Sequence, residues 1–436
     1  MISRPISRRA VLSAAAPLIV PSRVLGSQHG GTPPSDRIQI GFIGVGRMGS
    51  GHLRATLQYE DVRVTAICDV QDAARERAKT AVDRHYRDSQ CAAFNESGGL
   101  LSLGGVDAVL IATPEHWHAL NGIEAARHGK HMYYEKPMSV CLADAIAVRE
   151  AVHRYGVVFQ FGTQQRSSHY FRHACELARN GFIGRVKTIY IASAGGGKPE
   201  PVSALEKPAP AGFDYDRWLG PAPWAPYSDE RVSLNWQFIH DYGLGCLSGA
   251  WGIHDVDFSQ WVNQSDHTGP LDVEGEGVFH TDLRDVVYSW TVEHTYPNGV
   301  KLVHMDLVTA RKRMPQFRFG SMATLIEGTR GWIWVSRQGM RTEPAELVQA
   351  RIPTHGNRVP RYDDHRRNFF DAIRTGRPTL SPIGAAVRTE AICQQADVAM
   401  RLRRKLRWDP NAERFLDDEA ANRLLSRPKR SPWNLC

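Results

Sequence analysis

From residue 37 onward the apolar residues fall into short unbroken runs separated by stretches with helical spacing. Ile38 to Ile43, Val62 to Cys68, Val106 to Ala112 and a run ending at His131-Met132-Tyr133-Tyr134 read as buried strands, with a helix predicted over Gly51 to Tyr59. Strands that alternate with helices in this way predict a parallel sheet covered on both faces. After a further strand at Val157 to Phe161 the period changes. Asp272 to Phe279, Val286 to Tyr296, Val300 to Val308, Thr324 to Glu327 and Gly331 to Val335 alternate as strands of an antiparallel sheet, with Asn298-Gly299 as a hairpin turn. Helices are expected at 363–375 and 384–405, and the basic run Arg401 to Arg407, with Leu402 and Leu406 four apart, reads as the solvated face of the terminal helix. The segment Gly195 to Pro226, rich in Gly, Pro and Trp, is long for a connection and predicts a flap.

The N-terminus departs from this pattern. Ser7-Arg8-Arg9-Ala10-Val11-Leu12-Ser13 precedes an apolar stretch from Ala14 to Val20, the arrangement of a twin-arginine export signal, too short to span a membrane; residues 27–36 have linker composition. A folded, exported, periplasmic protein that is not held in the membrane is expected. Composition adds little to this: 436 residues with 42% hydrophobic and 23% charged content suit a two-domain globular chain. The formal charge of +8 draws on Arg4, Arg8, Arg9 and Arg23 of the leader, and no aromatic-interleaved basic stripe points to nucleic acid. The seven cysteines are scattered without C-x-x-C pairing, neither a disulfide framework nor a zinc site.

The first strand runs into Gly44-Val45-Gly46-Arg47-Met48-Gly49, a G-x-G-x-x-G between strand and helix, the context in which this motif cradles a pyrophosphate. Gly44 allows the tight turn, Gly46 the approach of backbone amides to phosphate, and Gly49 close packing of helix on strand. The second strand ends in Asp69, about twenty residues further on, where a carboxylate accepts from the ribose hydroxyls and repels a 2′-phosphate, so NAD is the expected cofactor. The third strand leads into Thr113-Pro114-Glu115-His116-Trp117-His118, a loop beyond a strand's carboxyl end and hence against the cofactor.

These features, with Glu135-Lys136-Pro137 after the fourth strand, Gly162-Thr163-Gln164-Gln165-Arg166 and a chain end containing Trp433, resemble the Gfo/Idh/MocA oxidoreductases from Arg37 to Cys436. The resemblance implies an α/β chain: an N-terminal Rossmann domain over 37–160 after a signal and linker over 1–36, then a C-terminal α+β domain over 161–436 with a large, open, mainly antiparallel sheet. That sheet would serve substrate binding and assembly into a homodimer or homotetramer. The implied cofactor residues are Gly44, Gly46, Arg47, Met48, Gly49, Asp69, Thr113, Pro114, His116, Glu135 and Lys136, and no metal is expected. Lys136 would stand beside the nicotinamide and the substrate hydroxyl, where an ammonium can share a proton with the reacting oxygen. The family's second catalytic element is an acid and a histidine one helical turn apart. His254 is in place, but Ala250 stands where the acid belongs, so either His254 acts with Lys136 alone or an acid such as Asp241 reaches in. Gln164, Arg166, Trp236, His240 and Asp257 are candidate substrate contacts, and Trp218 and Trp224 of the flap are candidates for stacking on a sugar face.

Three functions remain open at this stage. One is an NAD-dependent dehydrogenase oxidising a hydroxyl carbon of a sugar, cyclitol or related polyol. A second is a redox-neutral lyase, glycosidase or epimerase that retains its NAD, a use that export favours. The third is a non-catalytic sugar-binding module, against which Lys136 argues.

Overall fold

The computed structural model describes residues 33–197, 200–317, 319–320 and 322–435. The Ser7–Ser13 segment and the apolar stretch after it lie outside the described residues. Six parallel strands form the first sheet: β1 (Ile38–Ile43), β2 (Val62–Cys68), β3 (Ala92–Phe94), β4 (Ala108–Ile111), β5 (His131–Tyr134) and β6 (Phe159–Phe161). Their spatial order is β3-β2-β1-β4-β5-β6, with Ile40 opposite Ala108 and Ile43 opposite Ile111 in the β1/β4 pair. The order reverses between β1 and β4, which opens a crevice beyond their carboxyl ends. Ile40 and Phe42 are fully buried, as a strand covered on both faces requires.

The second sheet has nine strands. They are β7 (Val186–Ser193), β8 (Asp272–Phe279), β9 (Val287–Thr295), β10 (Lys301–Asp306), β11 (Ala323–Gly328), β12 (Trp332–Ser336), β13 (Gly339–Glu343), β14 (Leu406–Asp409) and β15 (Arg414–Phe415). Their order is β13-β12-β11-β7-β10-β9-β8-β14-β15; only the β7/β10 pair is parallel. On β7, Ile189 and Ile191 join the main core while Tyr190 and Ala192 face a smaller cluster on the other side. The helix Gly252–Val262, buried along its whole length, and the helix Ile383–Leu402 cover the core side. The helix His365–Thr375 crosses back, burying Phe369 against Tyr133 of β5 and Phe370 against Tyr59, in the same apolar cluster as Ile40 and Phe42 of β1.

Several boundaries differ from expectation. The helix after the glycine loop begins at Arg47, a turn earlier than Gly51, because Gly46 already serves as its N-cap. β7 has no clear alternating signal. The strand from Lys301 stops at Asp306, whose side chain accepts the Thr309 amide and starts the helix Leu307–Arg313. Residues 401–407 are not one helical face: the helix ends at Leu402, Arg403 takes a left-handed conformation at φ 52°, and Leu406 is buried as the first residue of β14. The Asn298-Gly299 hairpin joins β9 to β10 as expected, with Gly299 at φ 81°.

Candidate active site

The glycine loop starts where β1 ends. Gly44 has φ +84°, and a Cβ there would lie 2.7 Å from the Ala112 carbonyl oxygen, so the neighbouring β4 loop leaves room for glycine alone. Nothing lies within 4 Å of the corresponding position at Gly46, whose open side faces a cavity of ≈ 1000 Å³. No side chain caps the helix Arg47–Thr56, which leaves its first amides available to an anion. A Cβ at Gly49 would fall 2.0 Å from the Gly44 oxygen; Gly49 therefore allows close packing and does not itself line the cavity. Asp69 accepts the Val45 amide at 2.9 Å and the Gln71 amide at 2.9 Å. Burial raises its carboxyl above the ordinary range, against the pull of those two amides and of Arg75 and Arg77. Arg47, Met48, Asp69, Thr113 and Pro114 all line the same cavity. An open glycine turn, uncapped amides and a carboxylate at the next strand's end fit an adenine dinucleotide.

The cavity continues to Glu135, Lys136, Gln164, Trp236 and His254. Lys136 Nζ donates to the Gly249 carbonyl at 2.7 Å, tying the end of β5 to the loop that precedes the His254 helix. His118 bridges the same region from below, 2.6 Å from the Pro137 carbonyl and 2.9 Å from that of Thr113. Glu135 lies 2.8 Å from His52 Nε2 and accepts from Gln164 at 3.1 Å. Burial alone would raise its carboxyl, but the His52 hydrogen bond and the positive charge of His52 and Lys136 hold it at about 2. His254 is 3% exposed and its Nδ1 has no partner. Burial first, then the Lys136 and Arg337 cations, press its pKa well below the imidazole range, so the ring is neutral and able to accept a proton.

Other expected contacts lie elsewhere. Arg166 is 1% exposed and holds Asp257 through two bonds of 2.8 Å and Asp266 through bonds of 2.9 and 2.8 Å. The 3-10 turn Gln164–Ser167 sends Gln164 into the cavity and Arg166, two residues on, into the core; neither Arg166 nor Asp257 lines the cleft. His240 is also outside it, its ring 2.8 Å from Arg427 and 3.4 Å from Asp397. His116 holds the Trp218 carbonyl at 2.8 Å and packs between the Trp218 and Tyr242 rings, anchoring the flap rather than a cofactor. Trp218 lines the cavity, whereas Trp224 is 69% exposed and does not. Asp241 is exposed and away from the site.

Three groups escaped the sequence reading. Glu115, 3% exposed, lines the cavity beside Gly249; its only signal was its place in a quoted motif. Arg337 reaches the cavity from the β12–β13 turn, where nothing local marks it. The chain end also returns to the cavity, with Trp433 edge-on to Trp117 at 6.1 Å and Arg430 4.4 Å from the Trp433 ring. The flap is clasped to the first domain: Asp72 N donates to Gly212 O at 2.8 Å, Asp214 N to Val70 O at 3.1 Å, and Asn95 to the Asp214 carboxylate at 2.8 Å.

Residues 38–163 match the oxidoreductase family's NAD-binding Rossmann fold, and residues 200–435 match its C-terminal alpha/beta domain. The chain belongs to the Gfo/Idh/MocA oxidoreductase family. Its first domain is that family's NAD-binding Rossmann fold. Among curated relatives, a glycosyl hydrolase family 109 protein of Shewanella baltica is 31% identical over 154 residues, 34% of this chain and 34% of that protein. Myo-inositol 2-dehydrogenase of Thermotoga maritima is 31% identical over 185 residues, 42% of this chain and 49% of that protein. The matches thus span between a third and a half of these relatives. Among solved structures, aldose-aldose oxidoreductase from Caulobacter crescentus, complexed with glycerol, superposes with a TM-score of 0.63 at 18% identity, covering 85% of this chain and 99% of that one. At that identity the likeness speaks for the fold.

Proposed function

We propose that this enzyme oxidises a hydroxyl-bearing carbon of a sugar, cyclitol or related polyol. The observation that carries the reading is that Lys136 and the neutral His254 line the same cavity as the glycine loop and Asp69. Bound NAD supplies the hydride acceptor. The chain's own residues do the rest: as the carbinol C–H leaves as hydride, the Lys136 ammonium polarises the hydroxyl oxygen, the neutral imidazole of His254 takes the hydroxyl proton, and a carbonyl forms. Trp218, Trp236 and Trp251 offer aromatic faces to a sugar ring and narrow the access of water. The test is nicotinamide absorbance on mixing the purified protein, with and without added NAD, with a panel of polyols, aldoses and inositols. Reduction with at least one is expected; none with any would overturn the reading.

A redox-neutral use of the same step is supported by the clasp of residues 212–214 over the adenosine end, which favours a retained cofactor, and by the glycosyl hydrolase names among the relatives. Mass spectrometry of the protein as purified separates the two, since a retained dinucleotide travels with the chain.

We further propose export by the twin-arginine route, on Ser7-Arg8-Arg9 before an apolar run. A variant with Arg8→Lys and Arg9→Lys is expected to stay in the cytoplasm on fractionation. Unchanged distribution between compartments would sink the idea.

A further inference from the structure

We propose that Arg337 receives an anionic group of the substrate, a carboxylate or phosphate carried by the sugar or polyol, so that the site takes acidic sugars in preference to neutral ones. The inference deepens the reading of the cavity as a site of polyol oxidation and rests on it.

The sheet places Arg337. Ser336 ends β12 and pairs with Gly339, which begins β13, so Arg337 and Gln338 make the turn between them. Thr324 of β11 is paired with Val335 of β12 and lies beside Asp255, the residue after His254, which brings this end of the sheet to the cleft. From the turn Arg337 lines the same cavity as Lys136 and His254 while remaining exposed, so it stands where the cavity opens to water.

Its guanidinium has nothing fixed to hold. Among the described residues Arg337 makes no hydrogen bond and no ion pair. The arginines that hold the fold are matched instead: Arg166 to Asp257 and Asp266, Arg367 to Asp61, and Arg430 to Asp216. The two acids that attract Arg337 from a distance are Asp255 and Glu135. Asp255 is fully buried and does not line the cavity, and burial pushes its carboxyl up to about 8, so it is mostly neutral at neutral pH. Glu135 is already engaged by His52 and Gln164. Glu115, the other acid at this end, is 3% exposed and raised by burial well above the carboxylate range. Lys136 and Arg337 therefore leave an excess of positive charge around the neutral His254, and a narrow cleft focuses such a field on an anion. Keeping His254 neutral does not explain Arg337, because burial and Lys136 both act on that ring more strongly. A planar guanidinium fork matches the paired oxygens of a carboxylate or phosphate, whereas the hydroxyls of a neutral polyol offer it little beyond what water does.

The test reads binding. Calorimetry is done on the full-length protein saturated with NADH, which fills the glycine-loop end against stray phosphate and accepts no hydride, so that no turnover blurs the heat. The pairs compared are D-glucuronate with D-glucose, D-galacturonate with D-galactose, D-glucose phosphorylated on its primary hydroxyl with D-glucose, and myo-inositol monophosphate with myo-inositol. At least one acid is expected to bind about tenfold or more tightly than its neutral partner, the worth of a charge-assisted hydrogen bond. Whether the carboxylates or the phosphates show it identifies the anion. Arg337→Met is expected to remove most of that preference with the neutral partner's affinity little changed, and Arg337→Lys, which keeps the charge without the fork, to fall between. If the wild type prefers no acid over its neutral partner, the proposal is overturned. A preference that survives Arg337→Met would overturn it as well and give the anion to Lys136. So would an equal loss for acid and neutral partner, which would mark damage to the cleft. Because no turnover enters, preference for an acid that the protein does not oxidise would count against the proposed function alone. Oxidation of neutral polyols without any preference for acids would do the reverse.

Discussion

At the glycine-loop end of the cavity the backbone takes part directly: Asp69 accepts two amides, and the turn at Gly46 presents uncapped helix amides beside exposed Met48. At the reacting end they are side chains cut off from water, with Glu115, Glu135 and His254 each 3% exposed. Backbone amides bind charge at fixed positions and change little when a proton moves. Desolvated side chains instead have their proton affinities set by burial and by one another: burial raises Glu115 and lowers His254, while the His52 hydrogen bond and nearby charges overcome burial to lower Glu135. The first kind of site is suited to affinity, the second to chemistry.

Mutations should separate the two ends. The largest effect is expected from Lys136→Ala: turnover should fall by about 10² to 10⁴, the usual worth of general acid–base assistance, with NAD affinity by calorimetry little changed. Equal losses in both would erase the distinction between the ends. Arg166→Ala comes next and tests a residue that belongs to neither. Removing the cation from Asp257 and Asp266 should cost about 3–5 kcal/mol of stability in urea unfolding, as breaking a buried ion pair typically does, while activity per folded molecule persists. A stable but inactive variant would return Arg166 to the cleft. The smallest effect is expected at the adenosine end, where Asp69→Ala should weaken NAD binding by about 1.5–3 kcal/mol and narrow the margin over NADP, with turnover at saturating cofactor preserved. Tighter binding of NADP than NAD by the wild type would remove Asp69 from that role.

The parts of the site legible in the sequence are those that a few consecutive residues make by themselves. A strand, a glycine turn and a helix start within Ile38–Thr56 dictate their own backbone, and the glycines at 44 and 49 are required by contacts across one turn. The strand–helix alternation and the period-two runs likewise carried most of both sheets. The motif around Lys136 placed that lysine in the cavity, but its environment depends on pieces more than a hundred residues apart.

Which of two polar residues on one turn enters the cavity was a matter of tertiary packing, as Gln164 and Arg166 show: both looked equally available, and Asp257 and Asp266 drew one of them inward. The same holds at 401–407, where leucines four apart fit a helix, yet pairing of Leu406 with Val273 on β8 made a strand. Sequence by itself determined the family of chemistry, since residue types and local backbone turns are written in order along the chain. Only the folded structure decided that Glu115 sits against Gly249 beneath Lys136, because loss of water, and with it proton affinity, depends on what the rest of the chain packs around a group.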